Sequence, residues 1–268
     1  MPSFRSRGFE IYYETHGTGG IPIVWIVGVA ATCQGWLVLQ VPELSEARQN
    51  VVFDPRGAGR SGDPGGPFTT RDLAEDVRAL LDELSIERAH VIGSFLGGLV
   101  AQELALEHPD RVQSLVLVGS YARADGKRKM LLGLWKRMAE VGMPREIWVG
   151  TRLCWTLSEP TLEQSELIDA MMRFQLDTEP PMDEQVIARQ VEACLGHDTL
   201  EQLPTIQAPT LVVTGENDIL TPPHLSRQLA QGIPDSELVL MAGAGHLAMA
   251  EVAPRFNRLV ERFISAHE

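Results

Sequence analysis

Six short runs in this chain are apolar on nearly every residue rather than on alternate ones: IPIVWIVGV (21–29), NVVF (50–53), AHVIG (89–93), SLVLV (114–118), TLVV (210–213) and ELVLM (237–241). A strand with this pattern buries both of its faces, which happens in a largely parallel sheet covered by helices on each side. Helical periods lie between the runs. TTRDLAEDVRALLDEL (69–84) spaces Leu73, Val77, Leu80, Leu81 and Leu84 along one face and carries Asp72 and Glu75 in its first turn. The alternation predicts an α/β fold with a mostly parallel sheet and helices on both faces. FEIYYE (9–14) is also β-rich, and the HGTGG turn that follows it predicts a hairpin with residues 21–29.

From Tyr121 to Leu203 the strand signals stop. GKRKMLLGLWKRMAEVG places Met130, Leu131, Leu134, Trp135 and Met138 on one helical stripe, Pro144 suits a helix start, and Thr161 with Gln164 resembles a capping box. Strands resume at Pro209. This predicts a core of residues 1–120 and 204–268, with residues 121–203 forming a helical cap over the end of the sheet where α/β ligand sites lie.

A chain of 268 residues buries enough surface to need neither metal nor disulfide for stability. Its 23 Lys and Arg against 36 Asp and Glu give a net charge of −13, which repels phosphate backbones and anionic headgroups and argues against nucleic acid and membrane partners. The three cysteines, Cys33, Cys154 and Cys194, are odd in number and form no CxxC pair, which suits a reducing compartment. Without an apolar leader or a long apolar span, the expectation is a cytoplasmic protein. Oligomeric state stays open.

Two glycine motifs compete for attention. RGAGRSG contains a GxGxxG after a strand, but DPGGP follows where a dinucleotide site needs a helix N-terminus, so a tight turn is expected and no cofactor. HVIGSFLGGLVAQELALEHP (90–109) instead runs a strand straight into a helix. A nucleophile elbow needs small residues two before and two after its tip, and Gly93 and Gly97 fill those places around Phe95. With Ser94 at the tip, Ile92 and Leu96 would occupy the crowded positions, so Ser94 reads as a neighbour. Downstream, Asp218 follows the strand LVVTG, and His246 follows the next strand, one αβ unit later. The order elbow, acid, histidine is that of α/β hydrolases rather than of the two familiar protease arrangements.

Through FDPRGAGRSG, VIGSFLGGLVAQELALEHPDRVQSLVLVG, PTLVVTGENDILTPP and GAGHLAMAEVAP the chain resembles the α/β-hydrolase superfamily, and within it small esterases, enol-lactone hydrolases and aclacinomycin-type methylesterases. The resemblance implies that Asp218 orients His246 and stabilises its protonated form. It also implies an oxyanion hole made by the backbone N–H groups of Val29 and Leu96. Where the family often has His-Gly at the start of the oxyanion loop, this chain has Val27-Gly28.

Phe95 departs from the family at its serine. A phenyl ring has no lone pair with which to attack a carbonyl and no proton for His246 to remove. One reading is a carboxylic-ester or lactone hydrolase whose nucleophile position has been substituted and whose hydrolysis is crippled. The alternative is a naturally nucleophile-free lyase, cyclase or isomerase using His246 and Asp218 for proton transfer, or a ligand-binding pseudoenzyme. The cap residues Trp135, Trp148, Trp155, Met171, Met172 and Phe174 supply an apolar underside; of these Trp135, Trp148 and Trp155 are taken as substrate contacts, for a small to medium apolar organic ligand. Cys33 reads as a small buried hydrophobe. No metal site is expected.

Overall fold

In the computed structural model, which describes residues 2–178 and 182–268, eight strands form one sheet in the order β1-β2-β4-β3-β5-β6-β7-β8. They are β1 (Ser3–Ser6), β2 (Phe9–His16), β3 (Ile23–Ile26), β4 (Asn50–Phe53), β5 (Ala89–Ser94), β6 (Val112–Val118), β7 (Thr210–Gly215) and β8 (Ser236–Met241). Six of them, β4-β3-β5-β6-β7-β8, are mutually parallel, while β1 and β2 run antiparallel at one edge.

The apolar runs face two layers. Val24, Ile26, Val91, Leu115, Leu117 and Val212 belong to one buried cluster, and Ile23, Trp25, Ile92, Val116, Val118, Leu211 and Val213 to the other. Neighbouring residues thus go to opposite faces, as the pleat requires. The second face is covered by α1 (Gln34–Leu37), α2 (Val41–Leu44), α11 (Ala248–Glu251) and α12 (Ala253–Ser265). The first is covered by α3 (Thr70–Glu83), α4 (Leu96–Glu107) and α10 (Pro223–Gly232). Thr69 opens α3 with a capping box to Asp72. α4 is buried at every residue from Leu96 to Ala105, because it lies between the sheet, α3 and the cap.

Between β6 and β7 the regular elements are helical: α5 (Gly126–Glu140), α6 (Arg145–Thr156), α7 (Glu159–Leu162), α8 (Ser165–Arg173) and α9 (Glu184–Gly196), with a π-turn at Phe174–Thr178 and a 3₁₀ segment at Leu200–Thr205. Residues 179–181 of this stretch lie outside the described residues.

Three expectations need correcting. Residues 9–14 and 21–29 do not form a hairpin: β2 pairs with β4, which separates it from β3, and the hairpin partner of β2 is β1, joined through Arg7-Gly8 with both residues at positive φ. On α5 the buried face is Leu131, Leu132, Trp135 and Ala139, while Met130 and Leu134 point to solvent, because the helix packs sideways on α9. Thr161 does not cap a helix with Gln164; its hydroxyl donates to Glu251.

Candidate active site

The turn from β5 to α4 puts Phe95 at its tip with φ 49° and ψ −108°, a backbone region that L-residues other than glycine adopt rarely. Two glycines permit the turn. A Cβ on Gly93 would lie 2.2 Å from the Gly97 carbonyl oxygen, and one on Gly97 would lie 2.2 Å from the Ile26 carbonyl oxygen. The Phe95 N–H donates to the Val118 carbonyl at 2.9 Å, and its carbonyl accepts from Ser120 Oγ at 3.2 Å and from the Leu99 N–H at 3.1 Å. A strained conformation is held in this way by its surroundings.

Asp218 and His246 meet beside this turn. The carboxylate Oδ2 of Asp218 lies 2.8 Å from His246 Nδ1, with both side chains buried. Thr221 completes the group: its N–H donates to Asp218 Oδ1 at 2.7 Å, its hydroxyl donates to Oδ2 at 2.7 Å, and that hydroxyl lies 2.9 Å from His246 Nδ1. Thr214 Oγ1 adds a further bond to Oδ2 at 3.2 Å. A carboxylate so supplied with donors is held in place and fixes the imidazole with Nδ1–H toward it, leaving Nε2 outside this pairing. Gly119, at φ 52°, makes room for the ring: a Cβ there would come within 2.8 Å of His246 Cε1.

The Phe95 ring stands edge-on to the His246 ring at 5.4 Å between centroids, and edge-on to Tyr121 at 6.2 Å. Tyr121 is wholly buried and donates its hydroxyl hydrogen to the Cys194 carbonyl at 2.8 Å. Burial pushes its phenol well above the usual range, so it stays neutral and acts as an apolar wall.

On the opposite side, Val29 and Ala30 follow β3. Ala30 adopts φ 54°, with its N–H donating to Gln190 Oε1 of α9 at 2.8 Å and its carbonyl accepting from Arg152 Nη1 of α6 at 3.1 Å. Leu96 is the first residue of α4, so its N–H has no acceptor within the helix. Cys33 is fully buried beside this loop. Burial, together with the nearby Asp54 carboxylate, raises its thiol pKa, so it remains an unreactive thiol.

A cavity of about 470 Å³ opens next to the turn, floored by Val27, Gly28 and Ser94 and walled by Trp36, Met171 and Phe174. Its size lies in the range of small-molecule sites. A smaller pocket of about 80 Å³, containing Trp148, adjoins it, and Arg152 borders both. Of the three cap tryptophans, Trp148 reaches the small pocket, Trp135 is buried against Trp148 at 5.7 Å, and Trp155 is half-buried against the core. None of the three lines the large cavity, whose cap side is α6 and the α8 region through Arg152, Ala170, Met171, Phe174 and Gln175.

Sequence reasoning missed Thr221, Gly119, Tyr121, Gln190 and Arg152. Only Thr221 carried a local signal, through its place three residues after Asp218 in DILTPP. Among the described residues no cluster of three or more His, Cys, Asp or Glu side chains could hold a metal ion, and no helix is long and apolar enough to cross a membrane.

Comparison with known proteins matches residues 21–145 to the alpha/beta hydrolase fold family and residues 182–267 to the TAP-like protein family. The chain is 31% identical to a putative carbamate hydrolase RutD from Azorhizobium caulinodans over 263 residues, 98% of each chain. Among solved structures, it is similar to the enol-lactonase from Burkholderia xenovorans LB400, with a TM-score of 0.90, 28% identity, and 98% of this chain and 100% of that one covered. It is also similar to Est816, an N-acyl homoserine lactone degrading enzyme, with a TM-score of 0.84, 28% identity and coverage of 98% and 100%.

Proposed function

The chain belongs to the α/β-hydrolase family, and from that premise we propose that it is an ester- or lactone-type hydrolase scaffold for a small to medium apolar substrate, with Phe95 standing where the family carries its nucleophile. One observation carries this reading: Phe95 holds the φ 49°, ψ −108° turn between Gly93 and Gly97, beside an assembled His246–Asp218 pair. Relatives named as a carbamate hydrolase, an enol-lactonase and a lactone-degrading enzyme support carbonyl substrates with an oxygen or nitrogen leaving group.

In a working site of this shape, a hydroxyl at position 95 attacks the carbonyl carbon while His246 Nε2 takes its proton and Asp218 holds the resulting imidazolium. The negative charge on the carbonyl oxygen falls to the Val29 and Leu96 N–H groups. His246 then returns the proton to the leaving group, and water repeats the sequence on the acyl-enzyme. Phe95 removes the first step. Loss of such a nucleophile costs about a million-fold in turnover, leaving the residual rate that binding and oxyanion donors provide.

The seating of Phe95 supports a second reading. The ring packs into the core cluster between Tyr121 and His246 without parting His246 from Asp218, as a naturally nucleophile-free proton-transfer enzyme or ligand-binding protein requires. Phe95→Ser separates the readings. A gain of several powers of ten on short activated esters or lactones supports the hydrolase scaffold, whereas no gain in a folded variant across such a panel overturns it. His246→Ala in the unaltered chain then divides proton transfer, which is lost, from ligand binding, which stays.

A further inference from the structure

The backbone on either side of His246 is fastened to the cap. The Leu247 N–H donates to the Thr156 carbonyl, the last residue of α6, at 3.0 Å. The Gly245 N–H donates to Glu251 Oε1 at 2.7 Å. The other carboxylate oxygen of Glu251 accepts from the start of the next cap helix: the Ser158 N–H at 3.0 Å, Ser158 Oγ at 2.5 Å and Thr161 Oγ1 at 2.5 Å. The cap backbone also presses on residue 245, where a Cβ would lie 2.6 Å from Ser158 N and 2.8 Å from the Leu157 carbonyl carbon. Only glycine lets the two backbones come so close.

The Glu251 carboxylate is therefore divided between two structures, one oxygen for the histidine loop and one for the cap junction between α6 and α7. α6 carries Trp148 and Arg152, which border the cavities. The imidazole itself is fixed through Nδ1 by Asp218 and Thr221 and has Gly119 against its edge, so its remaining freedom is movement of the loop that bears it. We propose that Glu251 is a positioning residue for His246, setting the height of the imidazole over the turn according to how the cap is seated. The proposal rests on the reading of His246 as the base of the site, and it makes the cap a structural part of that base rather than a lid above it.

The first test keeps Phe95 in place and needs no turnover. Proton NMR should resolve a downfield Nδ1–H signal for His246, assigned by its disappearance in His246→Gln. In Glu251→Ala this signal is expected to broaden and to change position, with the signals of the other six of the seven histidines unmoved. Ser158→Ala with Thr161→Val, which removes only side chains on the cap side of the bridge, is expected to give a smaller change of the same kind. An unchanged His246 signal in folded Glu251→Ala overturns the proposal. A change spread evenly over all seven histidines also overturns it, since a carboxylate that merely holds the fold together would give that result. If Glu251→Ala does not fold, the Ser158 and Thr161 variant decides by the same two criteria. In the Phe95→Ser background, Glu251→Gln is expected to lower kcat at least tenfold with KM within twofold. Should Phe95→Ser gain no activity, the hydrolase reading fails while the NMR result still decides on Glu251.

Discussion

The backbone N–H of Ala30 donates to the side-chain oxygen of Gln190 at 2.8 Å, joining residues 160 positions apart in the chain and tying the loop after β3 to cap helix α9. Ala30 holds a left-handed backbone, so this bond and the one from Arg152 to its carbonyl keep an unfavourable conformation in place. Gln190→Leu strands a buried donor and is expected to lower stability by about 1–3 kcal/mol. Amide exchange measured by NMR should quicken at Ala30 and Val29 well before it does in β5. Equal protection in both proteins would show that Arg152 alone holds the loop.

Phe95 occupies volume as well as replacing chemistry. Truncating a buried phenylalanine costs about 3–5 kcal/mol, so Phe95→Ala is expected to fall in that range by urea denaturation. The space released lies beside His246, and calorimetric titration with one aromatic ester is expected to show tighter binding. Weaker binding would mean that the ring is a stacking platform for ligand rather than a plug.

Gly119 is needed for a different reason from the elbow glycines. Gly119→Ala would bring a methyl group within 2.8 Å of His246 Cε1, at a φ that disfavours alanine. We expect about 1–2 kcal/mol of destabilisation from the backbone alone. In the Phe95→Ser background, a loss of most of the restored hydrolysis is expected, because the imidazole must leave Asp218 or tilt away from the turn. Full activity in that double variant would show that the ring relocates without cost.

His90, buried in β5 with Nδ1 on Ser114 Oγ at 2.7 Å, gives the fold a pH dependence remote from the site. Burial holds its pKa down to about 4, and the nearby Arg48 acts in the same direction. Between pH 6.5 and 4 the unfolded chain takes up a proton that the folded chain refuses. The stabilisation is therefore complete above pH 6.5 and is lost as pH falls toward 4, by at most about 3 kcal/mol. Urea midpoints at pH 7.5 and 4.5 should differ more in the native protein than in His90→Gln. Equal differences would place the acid sensitivity elsewhere.

The parallel core was legible in the sequence because strands covered on both faces write themselves as uninterrupted apolar runs, and the positions of Asp218 and His246 followed from the strands that end beside them. β1 was not legible: SFRS alternates buried and exposed residues over only four positions. The true face of α5 was hidden because Met130 and Leu134 are apolar yet exposed, at 72% and 55%. Gln190, Glu251 and Tyr121 act across 73 to 160 residues of chain, and no local spacing encodes contacts of that range. The cap tryptophans pack within the cap or against the core, whereas the cap side of the cavity is lined by Arg152, Ala170, Met171, Phe174 and Gln175.

The close approach of Gly93 to Gly97, and of Gly97 to Ile26, is a property of the strand-to-helix turn and owes nothing to the side chain at its tip. Those glycines are obligatory for a chain that catalyses nothing as much as for one that does. A search of sequences for this glycine signature therefore counts sockets rather than tools, and the residue between the glycines must be read separately before any reaction is ascribed to the chain that carries them.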